Sequence, residues 1–203
     1  MKKGHLFVIS GPSGAGKGTI CKELLKAEDL NLSVSMTTRS PREGEIHGVS
    51  YYFVSHEEFR QTAADGGLLE WAEIYGNCYG TPKAPVLKKL SQGKDVLLEI
   101  EMQGAMQVKK SYPKSVLIFV LPPSLLILKQ RLTDRGTETE EQIKLRTRTT
   151  LEEIKTISDY DYYVINDDLT RAVEDVRNII KAEHLRVEDQ AEEIVSKYES
   201  EEI

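Results

Sequence analysis

Cysteine is nearly absent from this 203-residue chain: Cys21 and Cys78 are the only two, far apart and outside any Cys-x-x-Cys or Cys/His spacing. That usage supports neither a disulfide framework nor a zinc site. Long apolar runs are missing as well. After Lys2 and Lys3 the first run is Leu6 to Ile9, cut off by Gly11 and Pro12, which is too short for a secretory signal. No stretch approaches the ~20 apolar residues that a membrane-spanning helix needs. A reducing, cytosolic location is the default reading. An excess of positive charge is also lacking, with 27 Lys and Arg against 33 Asp and Glu for a net charge of −6. This argues against holding nucleic acid or an anionic membrane by bulk charge. The acidity is local: residues 188–203 carry seven acids against Lys197 alone, so residues 1–187 balance. The tail reads as a solvated helix end. No internal repeat or low-complexity tract stands out.

What is present is enough apolar content (39%) to bury a core, arranged as short apolar runs that alternate with helical patterns. The runs are Leu6–Ile9, Val96–Ile100, Val116–Leu121 and Tyr162–Ile165. Thr19 to Ala27 has apolar residues at helical spacing. So does Thr170 to Ala182, where Ala172, Val173, Val176, Ile179 and Ile180 share one face. Strand–helix alternation of this kind predicts an α/β fold with a parallel sheet flanked by helices. Two stretches break the rhythm. Residues 35–82 are rich in Ser, Thr, Arg, Gly and Tyr, with short alternating segments at Tyr51–Val54 and Leu68–Ile74. Between those, Ser55-His56-Glu57-Glu58 reads as a capping box. Asp134 to about Thr150 is dense in Arg, Glu and Thr and reads as a mobile lid.

Gly11-Pro12-Ser13-Gly14-Ala15-Gly16-Lys17 matches G-x-x-x-x-G-K, between a predicted strand and a predicted helix. Glycines let backbone N–H groups wrap phosphate oxygens, the helix N-terminus adds partial positive charge, and Lys17 reaches the terminal phosphates. Gly18 stands where Ser or Thr would offer a hydroxyl to Mg²⁺, and Thr19 follows on another side of the helix. The metal is therefore expected to be held mainly by nucleotide phosphates and water. Downstream, Arg39 and Arg42 flank Pro41. The proline keeps the segment out of a helix, so the two planar guanidinium forks can converge on one anion.

At this point the chain resembles guanylate kinase. The resemblance is carried by Ile9-Ser10-Gly11-Pro12-Ser13-Gly14, Thr37-Thr38-Arg39-Ser40-Pro41-Arg42, and Gly48 through Tyr51-Tyr52-Phe53. Further on come Glu70-Trp71-Ala72, Gly76-Asn77 with Tyr79-Gly80-Thr81, Arg135-Gly136-Thr137-Glu138, and Ile165-Asn166-Asp167-Asp168-Leu169. These run in family order over residues 4 to 185. The resemblance implies transfer of the γ-phosphoryl group of ATP to GMP (and dGMP) with Mg²⁺. It also implies a division of the chain. Residues 1–34, 84–125 and 151–187 would form a P-loop core, 35–83 an inserted mixed α/β GMP-binding region, 126–150 a helical lid and 188–203 the acidic tail.

Carried onto this sequence, the resemblance gives Gly11 through Thr19, with Arg135 and Asn166, to ATP. Arg39, Arg42, Tyr51 and Tyr79 would hold the GMP phosphate, and Ser35, Glu70, Thr81 and Glu101 would face the guanine. Glu101 departs from the family, which commonly has Asp there. Glu99 resembles the acidic residue that organises metal-bound water. Lys17, Arg39, Arg135 and Arg146 would carry the catalytic charge, which phosphoryl transfer needs more than it needs a general base. The base contacts make chemical sense: guanine offers N1–H and an amino group to carboxylates and O6 to hydroxyls. Two other readings remain open here, a P-loop kinase of a different phosphorylated acceptor and a non-catalytic phosphopeptide-binding module.

Overall fold

The structure, a computed structural model, describes residues 3–27, 29–74, 76–134, 139–187 and 190–200. The first strand, β1 (Leu6–Ser10), is buried throughout. After α1 (Lys17–Ala27) and β2 (Leu30–Leu32), the chain leaves for a small sheet. That excursion comprises β3 (Met36–Thr37), β4 (Tyr52–Phe53), α2 (His56–Ala64), β5 (Leu68–Ile74) and β6 (Asn77–Pro82). It returns through α3 (Lys83–Ser91), β7 (Asp95–Glu99), α4 (Met102–Ser111) and β8 (Val116–Leu121). The helix pair α5 (Leu125–Asp134) and α6 (Glu140–Ile154) follows, then β9 (Tyr162–Ile165), α7 (Leu169–Glu183) and α8 (Ala191–Glu199).

Five strands form a sheet in the order β2-β7-β1-β8-β9, with every pairing parallel. The two-residue period of β1 divides the core. Phe7 and Ile9 pack with Ile20, Leu24, Val173 and Val176 of α1 and α7 on one face. Leu6 and Val8 pack with Val86, Leu90, Ala105 and Val108 of α3 and α4 on the other. Each such side chain contributes about 1.5–3 kcal/mol on full burial, which is why these strands read as unbroken apolar runs. The fold class is the expected one.

The small sheet runs β4-β3-β6-β5, parallel between β3 and β4 and antiparallel elsewhere. Phe59, Leu68 and Cys78 form its own core. At its α2, Ser55 Oγ accepts from Glu58 N at 3.0 Å, a one-way cap. The reciprocal box occurs instead at Thr139 and Gln142, opening α6. The Arg-, Glu- and Thr-rich stretch that reads as a lid buries Ile143, against Leu128 and Leu132 of α5. The tail contains α8, whose Ile194, Val195 and Tyr198 are exposed. Among the described residues no helix is long and apolar enough to cross a membrane.

Candidate active site

Parallel strands put their C-terminal ends at one edge of the sheet, and there β1 runs into the glycine loop beside Glu99 at the end of β7. Between this edge, the small sheet and α6 lies a cleft of about 1340 Å³, whose walls include Lys17, Glu70, Tyr79, Glu99 and Arg146.

The loop is built by packing as much as by its own turns. Gly16 has φ +90°, and a Cβ there would lie 2.2 Å from Asn166 Nδ2, so glycine is required twice over. Asn166 is buried. Its Nδ2 donates to Ala15 O at 2.8 Å, and Arg131 donates to Asn166 O at 2.9 Å. Asn166 thus forms part of the loop's wall and borders a second cavity of about 430 Å³, with Thr19 and Arg131 on its rim. Leu128, in the segment expected to be lid, packs on Gly14. Lys17 Nζ curls back to donate to Gly11 O (2.6 Å) and Pro12 O (3.2 Å). From α6, Arg146 Nη1 donates to Ser13 Oγ at 2.6 Å and so bridges the helix pair to the loop. Arg135, expected beside it, lies outside the described residues.

Gly18 has a structural partner. A Cβ at this position would sit 3.2 Å from Glu99 Oε1, so the carboxylate occupies the space beside the missing hydroxyl. Partial burial pushes the Glu99 carboxyl up, Lys17 opposes this, and the like charge of Glu101 adds to it. Glu153 of α6, which the sequence reading did not single out, is pushed up by burial and by Glu101, against Lys17. Glu99 and Glu153 thus both feel Lys17 and Glu101, and the carboxylate oxygens at this end of the cleft are of the type that suits a hard cation such as Mg²⁺.

The opposite end of the cleft is lined by the small sheet. Glu70 on β5 and Thr81 on β6 are both buried, and Thr81 Oγ1 donates to Glu70 Oε1 at 2.6 Å. Burial raises the Glu70 pKa and the Thr81 bonds pull it back down. Thr81 therefore stands behind Glu70, with its one hydroxyl hydrogen committed there, and does not line the cleft as expected. Ser35, Tyr51, Tyr79 and Glu101 do line it. Helix α4 fixes this wall. Gln107 exchanges two hydrogen bonds with the Trp71 backbone (3.1 and 3.0 Å), and Ser111 Oγ donates to Leu69 O at 2.8 Å, so both neighbours of Glu70 are pinned. Gly104 leaves room for the Glu70 carboxylate.

Arg39 and Arg42 are not brought together as a ready anion site. Arg39 forks onto Glu45, with Nη1–Oε2 at 3.0 Å and Nη2–Oε1 at 2.9 Å, and lies over the Tyr51 ring at 5.5 Å. Glu45 holds the Arg39 pKa up, and Arg39 holds the Glu45 pKa down. The Arg42 side chain is exposed, while its backbone N donates to Glu45 Oε2 at 2.7 Å. Tyr51 and Tyr79 meet edge to face at 6.2 Å. Glu45, three residues beyond Arg42, is a second residue that the sequence pattern did not single out.

A parallel sheet whose first strand ends in a phosphate loop, facing an inserted sheet with a buried carboxylate and tyrosines, defines a P-loop kinase of nucleoside monophosphates. The comparisons narrow this. A family model described as guanylate kinase matches residues 3–183. The guanylate kinase of Clostridioides difficile is 54% identical over 99% of this chain and 98% of its own length. That of Caldanaerobacter subterraneus is 55% identical over 92% of this chain and 91% of its own. A crystal structure of guanylate kinase from Anaplasma phagocytophilum superposes with a TM-score of 0.77 at 31% identity, covering 100% of this chain and 98% of that one. The chain belongs to the guanylate kinase family.

Proposed function

We propose that the two ends of this cleft bind ATP and GMP and that the residues named above carry the reaction ATP + GMP → ADP + GDP. The observation that carries the reading is the Thr81–Glu70 pair, a buried carboxylate aimed into a cleft whose far end is the Lys17 loop. Guanine's N1–H and amino donors meet Glu70 and Glu101, and O6 takes the Ser35 hydroxyl. An adenine edge would leave the Glu70 carboxylate unpaired, which costs far more than a missing apolar contact.

The loop amides from Gly11 to Thr19 hold the ATP phosphates, and Asn166 forms the wall on the adenine side. Lys17 leaves its two carbonyl partners for the phosphates. Arg39, supported by Tyr51 and Tyr79, exchanges Glu45 for the GMP phosphate, with Arg42 joining it. Arg146, and Arg135 by family resemblance, bring positive charge to the transferring group from the α5–α6 lid. Glu99, with water, would hold Mg²⁺, and the ion would neutralise phosphate charge. The acceptor is an ionised phosphate, so no residue need act as general base. Closure of the lid and of the 35–83 region over both nucleotides excludes water. The enzyme works in the cytoplasm and accepts dGMP.

The test is coupled ADP release from Mg²⁺–ATP with GMP, dGMP, AMP, UMP or no acceptor. Turnover with GMP and dGMP alone supports the reading. Turnover with another acceptor keeps the loop and discards the base assignment. GMP binding without ATP binding or turnover would make the chain a binding module.

A further inference from the structure

The fold gathers three metal-binding side chains that lie far apart in the sequence, at the edge of the main sheet opposite the cleft. His5 precedes β1, Asp95 opens β7 and His184 caps the C-terminus of α7. Their ligand atoms all lie within 4.8 Å of one another. We propose that His5, Asp95 and His184 form a site for a divalent transition ion of the zinc class.

The geometry is near to what such an ion needs. Tetrahedral ligands about 2.0–2.2 Å from an ion stand roughly 3.4 Å apart. Here His184 Nε2 is 2.6 Å from Asp95 Oδ2, and His5 Nδ1 is 3.9 Å from Asp95 Oδ1, so one imidazole nitrogen stands against each oxygen of the same carboxylate, and small side-chain shifts would bring one ligand atom from each residue to that spacing. The two imidazoles meet edge to face with centroids 4.5 Å apart, so both rings approach one carboxylate. The side chains of His5, Asp95 and His184 are 10%, 12% and 25% exposed. The site is therefore largely dry, with an approach for a fourth, water ligand. Asp95 is also held in place: its Oδ1 accepts from His5 N at 2.8 Å, and Asn31 Nδ2 donates to its backbone O at 3.2 Å. A ligand fixed by its neighbours loses little freedom on binding. Two imidazoles and a carboxylate suit zinc, copper or nickel better than Mg²⁺. Binding through His184 Nε2 would replace its contact with Asp95 Oδ2 and require the neutral tautomer that carries its proton on Nδ1. It would tie the start of the sheet to the end of α7, about 13 Å from Glu99, since β7 rises ~3.3 Å per residue.

The experiment uses the full chain, freed of nucleotide, with Zn²⁺ or Co²⁺ as probe, alongside His5→Gln and His184→Gln. At a hundredfold excess over Kd, Zn²⁺ should raise the parent Tm by roughly 5–10 °C and neither variant's. Co²⁺ should give the visible bands of a tetrahedral site in the parent alone. Turnover with Mg²⁺–ATP and GMP should be unchanged in both variants. An unmoved parent Tm, or an equal shift in parent and variants, overturns the proposal. If the variants do not fold, the parent's Co²⁺ spectrum decides. Octahedral bands, or a sulfur charge-transfer band from Cys21 or Cys78, would overturn it as well.

Discussion

Thr81 donates its hydroxyl hydrogen to Glu70 Oε1 at 2.6 Å, across neighbouring strands, with Thr81 itself fully buried behind the cleft wall. Burial alone drives Glu70 toward its protonated form, and this bond drives it back. A protonated Glu70 presents a donor where guanine also presents donors. The Thr81 bond therefore favours the ionised form of Glu70, from behind, against the larger effect of burial. Thr81→Val keeps the shape and removes the hydrogen. A hydrogen bond to a charged group is worth about 1.5–3 kcal/mol, so KM for GMP should rise roughly 10- to 100-fold, with KM for ATP little changed. The pH below which GMP binding weakens should also move upward. A GMP KM within threefold of the parent would show that Thr81 has no such role.

The same carboxylate costs stability. Its folded pKa is raised above the unfolded value, so its protonated form is the one folding favours. That favourable contribution is full below the unfolded pKa, about 4.3, and is lost as pH rises through the folded pKa. Glu70→Gln removes the buried charge while leaving an oxygen for Thr81. The variant should melt above the parent at pH 7, and the gap should close as pH approaches 4. Binding of GMP should fall at the same time, because an amide offers a donor to a donor. A variant that melts below the parent at pH 7 would contradict the burial argument.

The chemistry that is local in sequence was legible in it. Gly11 to Lys17 is a phosphate loop because seven consecutive residues suffice to make one, and Leu68–Ile74 emerged as a strand at those bounds. What escaped depends on pairing. β6 contains Asn77, Gly80 and Pro82, residue types that disfavour strands, and pairs with β5 and β3 on either side. The Thr81–Glu70 bond follows from that pairing and had no local signal. Neither did the clamp of Gln107 and Ser111 on β5, since a glutamine on a helix looks like a solvated face. Glu153 was missed because the polar stretch was closed at Thr150, while α6 continues to Ile154 and carries the carboxylate into the cleft. Glu70 and Tyr79, which the family resemblance assigns to GMP, both line the cleft, yet the resemblance said nothing of Glu45, which holds Arg39.

That grip has a kinetic signature. Arg39 makes two charge-assisted hydrogen bonds to Glu45, and under the proposed function it trades them for the GMP phosphate. Arg39→Ala and Arg42→Ala should each cut kcat/KM for GMP at least tenfold, about 1.4 kcal/mol. Glu45→Gln should weaken the competing fork without removing the cation, so its GMP affinity should be no worse than the parent's. Arg39→Lys should not rescue Arg39→Ala fully, because an ammonium lacks the planar fork. Steady-state kinetics with GMP varied at saturating Mg²⁺–ATP decides. Near-parental activity in Arg39→Ala would remove Arg39 from the site.

Arg146 reaches from α6 to Ser13 Oγ at 2.6 Å, so the helix proposed as lid touches the glycine loop in this structure. A cation that only anchored the lid would matter chiefly for stability and for KM. A cation that meets the transferring phosphoryl group acts on kcat, because the charge it opposes is spread over that group in the transition state. Arg146→Ala should lower kcat by roughly 10²-fold or more, with the Kd for GMP unchanged. Ser13→Ala breaks the same bridge while leaving the guanidinium. It should therefore keep most of kcat and lose only what the anchor contributes. Pre-steady-state turnover of both variants separates the two roles. Equal losses in Ser13→Ala and Arg146→Ala would assign Arg146 to anchoring alone.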